Sequence, residues 1–409
     1  MEYQESLTPG YLDQVNKVFE KAKAHAAAMP KSNALYTIPV VVHVVYNNAA
    51  QNIPDSVVLD QIRVLNEDYQ RMNADTVNMR SDFEIVKGSP QIEFMLAQID
   101  ENGMPTTGIT RTNTATQSFG SLLLLGGDFT DLEKVKSTAN GGHDPWDQSR
   151  YLNIWVCNMS INIVGQEVTA LLGYATPPAG LPNWPPGSTT GLSDGVVIQY
   201  QCLGSNNPNP LDMGGGNILD VLGRTASHEV GHYLGLRHIW GDGDCTAEDG
   251  IDDTPNADAQ SSTDCNLTKN TCTDNIQGID LPDMVENYMD YSAESCQNSF
   301  TQGQADLMHG VLEDQRYDLV HDNPAAVKES IFSSLQLYPN PASEYLMVSG
   351  VNQDAELALY TPSGALMYTH SVKGETIAKL NVEQLPQGIY FIRISADGQH
   401  ITRKLVLTR

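Results

Sequence analysis

Hydrophobic positions along the chain fall into two textures. Up to about residue 320, apolar runs of strand length alternate with helical periodicities and long polar loops. TIPVVVHVVY (37–46) is a continuous apolar run rich in valine, which predicts a strand buried on both faces. Asp55 then reads as an N-cap, and Val58, Ile62, Leu65, Tyr69 and Met72 recur at steps of four, three, four and three, the stripe of an amphipathic helix. QIEFMLAQI (91–99), YLNIWVC (151–157) and VVIQY (196–200) predict further strands, separated by Gly/Pro/Asn-rich loops at 176–195 and 203–217. A helix is expected from about Asn217 to Leu236 and another near 302–320, with 239–300 almost all loop. Strands and helices mixed in this way predict one α/β or α+β domain over 37–320.

The texture changes beyond HDNPAAVKES (321–330), a stretch of linker character. Residues 335–409 hold short, partly alternating runs such as YLMVSG, ELALYTPSG and GIYFIRI between turn signals, the pattern of a small all-β sandwich. Residues 1–36 read as a polar, partly helical leader.

Charge separates the same regions. The net charge is −27. Residues 335–409 carry six acids and six Lys/Arg, so the excess lies entirely in residues 1–334. Such a surface repels nucleic acid and anionic membranes. There is no apolar run of about 18 residues, so no membrane-spanning segment is expected. The start, MEYQESLTPG, has neither a basic end nor an apolar core, and a signal peptide is expected to have been trimmed ahead of it.

Six cysteines are present, and Cys245, Cys265, Cys272 and Cys296 crowd into one loop-rich stretch. None forms a C-x-x-C pair, which argues against a structural zinc knuckle. They read as two disulfides, with three pairings open, and so as a protein of an oxidising, extracytoplasmic space. Cys157 and Cys202 either pair with each other or stay as buried thiols.

The candidate chemistry lies in HEVGHYLGLRHIWGDGDC (228–245). His228 and His232 are one helical turn apart and share a face, so both can present a nitrogen to one metal ion. Glu229 lies beside the first of them, angled toward the same cleft. Gly235 permits the positive φ that ends a helix and turns the chain, so that His238 can return to the ion. Three neutral imidazoles leave one position of a tetrahedral zinc open for water, whose pKa falls toward about 7. A neighbouring carboxylate can then take the proton, an arrangement suited to amide hydrolysis. A bare histidine pair at this spacing is usually a surface coincidence, but here five positions of one pattern are fixed together.

That pattern, H-E-x-x-H-x-x-G-x-x-H, resembles the metzincin metallopeptidases. VENYMDYS (285–292) resembles their methionine-containing turn, with Met289 lying under the metal and Tyr291 touching the metal or steadying the oxyanion. PVVVHVVY, VLNEDYQRMNAD, YLNIWVCN, LGYATPP, DGVVIQY, GRTASHEVGHYLGLRHIWGDGDC, DDTP and ENYMDYS, in this order, resemble the pappalysin-like branch over about 37–320. The resemblance implies an α+β catalytic domain, a twisted mixed sheet plus helices split by an active-site cleft, with extended substrate lying along an edge strand at LGYA (172–175). It implies Cys245–Cys272 and Cys265–Cys296 disulfides. It also implies calcium in the acid-rich loop of residues 241–296, the acidic loop, held by Asp249, Asp253, Thr254 (through its carbonyl) and Asp264. Relatives that prefer a basic residue after the scissile bond carry an acid immediately before the last loop cysteine. Ser295 stands there in this chain, after Glu294, so that preference does not carry over.

YPNPASEYLMV, GIYFIRI and the terminal RKLVLTR resemble the C-terminal sorting domain of the type IX secretion pathway. This implies contact with that secretion machinery and export to the surface or surroundings of a Gram-negative cell. The expected protein is a secreted zinc endopeptidase acting on proteins or peptides. The alternative is an adhesin or binding module on an inactive scaffold; loss of Glu229 or of one histidine would favour it, and all four residues are present.

Overall fold

A computed structural model describes residues 35–321 and 335–408, except 127, 170, 179–192, 214–215, 263–264, 351–353, 362–364, 374–376 and 397–398. It also describes some positions of the leader between 9 and 24. Asp264 and most of the leader and of the 321–334 linker lie outside the described residues. The chain separates into two compact units, Met1–Ala325 and Ala326–Arg409.

The first unit is built on β1 (Tyr36–Tyr46), the valine-rich run. Its flanking strands are β2 (Ile92–Leu96), β3 (Ile109–Asn113), β4 (Leu152–Cys157), β5 (Gly173–Ala175) and β6 (Val196–Gln199). The sheet order is β2-β1-β4-β6-β5, and β3 continues the β2 edge along the second half of β1. All pairings are parallel except the last, where β5 runs antiparallel to β6 and ends the sheet. LGYA therefore supplies the edge strand expected of it.

Both faces of β1 are apolar because both are covered. Val40, Val42 and Val44 pack with Val57, Val58 and Leu65 of helix α1 (Asp55–Tyr69) and with Ala226 and Val230 of helix α2 (Arg224–Tyr233). Val45 faces the opposite layer, with Phe119, Leu132 and Trp155. His43, the polar exception, is buried with its Nδ1 2.8 Å from Thr110 Oγ1 and its Nε2 2.9 Å from Asn153 Oδ1. Burial pushes its pKa down to about 3, so it sits neutral in the core.

Three local expectations need correction. The first helix is preceded by Pro54 in an extended conformation, and Asp55 is its first residue, its carboxylate paired with Arg111 rather than capping. The active-site helix begins at Arg224, not Asn217. Ile218–Leu219 instead pair with Leu211–Asp212, and Gly223, at φ +83, cannot continue a helix backwards. The helix expected at 302–320 is two, α3 (Gln302–Leu312) and α4 (Tyr317–His321). Between them the chain turns so that Arg316 can reach Tyr233 O (2.9 Å) and both oxygens of Asp194 (2.6 and 2.9 Å). That buried pair ties the approach to β6 to the end of α2.

The acidic loop is closed by disulfides Cys245–Cys272 and Cys265–Cys296, the implied pairing. Loops of this length are stabilised by roughly 2–4 kcal/mol per bridge. Cys157 and Cys202 are both buried and free.

The second unit is all-β. One sheet has β7 (Gln336–Tyr338), β8 (Tyr345–Ser349) and, beyond two further strands, β11 (Ile377–Asn381), in the order β7-β8-β11. The other has β9 (Ala355–Tyr360), β10 (Leu366–Val372), β12 (Gly388–Ala396) and β13 (Gln399–Leu407), in the order β10-β9-β12-β13. Within each sheet the strand pairings are antiparallel. Alternate residues of both sheets, among them Leu346, Leu380, Leu357, Ile392 and Leu405, share one core.

Candidate active site

Helix α2 carries RTASHEVGHY, and its first turn has no cap of its own. The cap comes from the far side of the acidic loop. The Glu294 carboxylate accepts from the backbone N–H of Leu222 (2.5 Å), Arg224 (3.0 Å) and Thr225 (2.9 Å) and from the Thr225 hydroxyl (2.7 Å). A carboxylate there satisfies free N–H groups and complements the helix dipole. Glu294 is thus committed to holding the helix.

The helix ends as its glycine predicts. Gly235 has φ +98, its N–H reaches His232 O (3.0 Å), and Leu236 N–H reaches Gly231 O (2.9 Å). This reversal brings His238 back. The ligand nitrogens of His228, His232 and His238 all lie within 4.8 Å of one another. His232 Nε2 is 3.0 Å from that of His228 and 3.1 Å from that of His238.

The other ring nitrogens decide what these contacts are. His228 Nδ1 lies 2.7 Å from Tyr288 O, His232 Nδ1 2.9 Å from Leu236 O, and His238 Nδ1 2.5 Å from Asp242 Oδ1. Carbonyls and carboxylates only accept, so each Nδ1 carries the proton and each Nε2 presents a lone pair. Three converging lone pairs repel one another unless a cation joins them. Burial, then the neighbouring His238, holds His228 down to about 3. Burial and both neighbouring imidazoles depress His232 strongly as well. Neutral imidazole is the form that binds metal, so the donor set fits zinc.

Glu229 is buried, and burial alone pushes its carboxyl up to about 8. An adjacent dication would favour the carboxylate and oppose that shift. Above it runs the edge strand: a Cβ on Gly173 would lie 2.6 Å from Glu229 Cγ and 2.9 Å from Oε1. Met289 is wholly buried beneath the helix, its sulfur 2.5 Å from where a Cβ on Gly231 would stand. Its turn is closed by Asp290 N–H to Asn287 O (3.1 Å) and by Met289 N–H to Asn287 Oδ1 (2.9 Å). Tyr291 is part-exposed, with its ring centroid 5.4 Å from that of His228 and 4.9 Å from that of His238. Burial, then repulsion from Glu229, keeps its hydroxyl protonated. A cavity of about 290 Å³ opens beside these residues, lined in part by Leu172, Gly173, Thr225, Glu229, Tyr291 and Ala293.

Several residues that build the site escaped the sequence reading. Asp68 of α1 accepts from Ser227 Oγ (2.6 Å) and Tyr288 Oη (2.8 Å), fastening helix and methionine turn together. Burial raises its pKa to about 6 against the pull of Arg224. Trp240 stacks on His238 at 4.3 Å with 6° between planes. Gly231 was open to detection as a small residue between His228 and His232, where a helix must let something approach. Asp68 and Glu294 are distant in sequence from what they hold, and periodicity does not mark them.

A family model described as pregnancy-associated plasma protein-A matches residues 213–313, the stretch that holds the helix, the acidic loop and the methionine turn. A second, described as a secretion system C-terminal sorting domain, matches residues 336–408. The chain is similar to mature mirolysin of Tannerella forsythia, solved in complex with a cleaved peptide. The two are 41% identical, with 71% of this chain and 97% of that one covered and a TM-score of 0.58. A mutant promirolysin of the same organism is 39% identical, covers 78% of this chain and 94% of its own, and has a TM-score of 0.63. Extracellular metalloprotease 1 of Coccidioides posadasii is 29% identical over 300 residues, 71% of this chain and 84% of that protein.

Proposed function

From the premise that this chain belongs to the pappalysin-type metzincin metallopeptidases and carries a secretion sorting domain, we propose that it is a secreted endopeptidase in which Glu229 activates water for attack on extracellular proteins. The observation that carries this reading is the convergence of three Nε2 lone pairs beside a buried carboxylate that makes no hydrogen bond among the described residues. A bound zinc supplies Lewis acidity there, acidifying water and polarising the scissile carbonyl.

The protein's own groups do the rest. His228, His232 and His238 would hold the ion. Glu229 takes the proton from water and returns it to the leaving amine. Tyr291, still protonated, donates to the oxyanion. Strand β5 offers backbone N–H and C=O groups on its free edge for an extended substrate to pair with. Met289 supports the floor under the ligands.

The working division is a leader at 1–36, the peptidase domain at 37–320, a linker at 321–334 and the sorting domain at 335–409. The sorting domain supports export across both membranes of a Gram-negative cell through the type IX machinery, followed by its removal. The two disulfides suit that destination. Hydrolysis of casein or gelatin by the purified chain tests the activity, with Glu229→Ala and a zinc chelator as controls. Cleavage that survives Glu229→Ala overturns the reading and favours an inactive scaffold used for binding.

Calcium in the acidic loop has its own support. Asp249 Oδ2, Asp253 Oδ1 and Thr254 Oγ1 are buried and lack hydrogen-bond partners among the described residues. Burial drives the Asp249 carboxyl up to about 8, a cost that a dication would relieve. An all-oxygen donor set suits calcium. The unpartnered Thr254 atom is its hydroxyl, whereas the resemblance implies its carbonyl. A calcium-selective chelator is expected to lower the melting temperature by about 5–10 °C from a state with free calcium at about 100 times its dissociation constant. An unchanged melting curve counts against the site.

A further inference from the structure

The three ligand imidazoles are not held alike. His228 and His232 give their Nδ1–H to backbone carbonyls, whereas His238 faces the Asp242 carboxylate at 2.5 Å. Asp242 reaches it through a turn that side chains rarely adopt. Gly241 and Asp242 have φ of +60 and +59 in succession, and Gly241 N–H closes back on His238 O at 2.9 Å. A Cβ on Gly241 would come within 2.6 Å of Glu248 N, so this position is confined to glycine. Aspartate is among the few other residues that tolerate the left-handed region. Trp240, just before the turn, lies flat on one face of His238. The Asp242 side chain is half exposed, so its backbone is not held there by core packing.

Resting on the zinc reading above, we propose that Asp242 is a positioning residue for the metal: it fixes the Nδ1–H tautomer of His238, aims Nε2 at the ion and strengthens that nitrogen as a donor. A backbone carbonyl can set a tautomer, but it carries no charge. A carboxylate makes a charge-assisted hydrogen bond and raises the ligand's basicity. Asp242 thus acts on zinc retention, not on the bond being broken. It also couples the ion to the acidic loop, because the Cys245–Cys272 bridge begins three residues on.

The test is zinc affinity of the full chain, measured by stripping the metal and titrating it back against a chromogenic chelator at fixed pH and salt. Asp242→Gly keeps the turn and removes the carboxylate. Asp242→Asn keeps the shape and an oxygen acceptor but drops the charge. The zinc dissociation constant is expected to rise about 10–100-fold in Asp242→Gly, with Asp242→Asn between it and the unmodified chain. The visible spectrum of the cobalt-substituted protein is expected to shift in both. Melting of the metal-free variants should match that of the metal-free parent, which separates lost coordination from lost fold; if Asp242→Gly fails to fold, Asp242→Asn decides. Zinc held within twofold of the parent overturns the proposal. A parent chain that takes up no zinc overturns the zinc reading itself, a different and recognisable outcome.

Discussion

Glu229→Ala is expected to lower kcat for peptide cleavage by about 10²–10⁴-fold, the range for loss of a general base, while zinc content stays at that of the parent and the melting temperature of the metal-free variant stays at or above that of the metal-free parent. The direction of the stability effect follows from burial. In the ion-free fold the Glu229 carboxyl is raised to about 8 by burial alone. Its folded pKa lies above its unfolded one, so ionisation opposes folding as pH rises toward 8. Removing the group removes that penalty and leaves no partner stranded. Loss of activity with the metal still bound would assign Glu229 to the chemistry. Loss of zinc or a collapse of the melting curve would instead make it a structural residue. Steady-state kinetics, metal analysis and thermal unfolding on one preparation give all three readings.

Gly173→Ala is the second large effect. Gly173 sits in an extended edge strand and is not in the left-handed region, so alanine meets no backbone strain. What it meets is Glu229: the added methyl would stand 2.6 Å from Cγ and 2.9 Å from Oε1. Either the carboxylate or the strand must move, and both belong to the proposed reaction site. Displacement of a catalytic group by about 1 Å costs roughly 100-fold, so kcat/KM is expected to fall by about that much. The pairing of β5 with β6 is through backbone, so folding should survive. Activity within a few-fold of the parent would mean that the edge strand does not approach the carboxylate as described.

The sequence made some layers of this protein readable and hid others for physical reasons. The valine run became β1 because a continuous β-branched run of strand length marks a strand buried on both faces. The motif from His228 to His238 was readable because a helix fixes which residues share a face and a glycine fixes where it stops. Helix limits were harder. Residues 217–223 have apolar spacing compatible with a helix, yet Ile218–Leu219 found a strand partner and Gly223 took a left-handed turn. Position 313–316 was lost to the helix because Arg316 gains a buried carboxylate by leaving it. Asp68, Trp240, Asp242 and the capping role of Glu294 depend on contacts made after folding, and only Trp240 and Asp242 lie near enough in sequence to their partner His238 to have been suspected.

The central claim is that three imidazoles hold one zinc on which peptide hydrolysis depends. Metal analysis of the purified chain alongside casein cleavage tests it most directly, in the parent, after chelation and after return of stoichiometric zinc. The account predicts one zinc per chain, cleavage lost with the metal and cleavage restored by one equivalent. A metal-free chain that cleaves casein at the parent rate would contradict it.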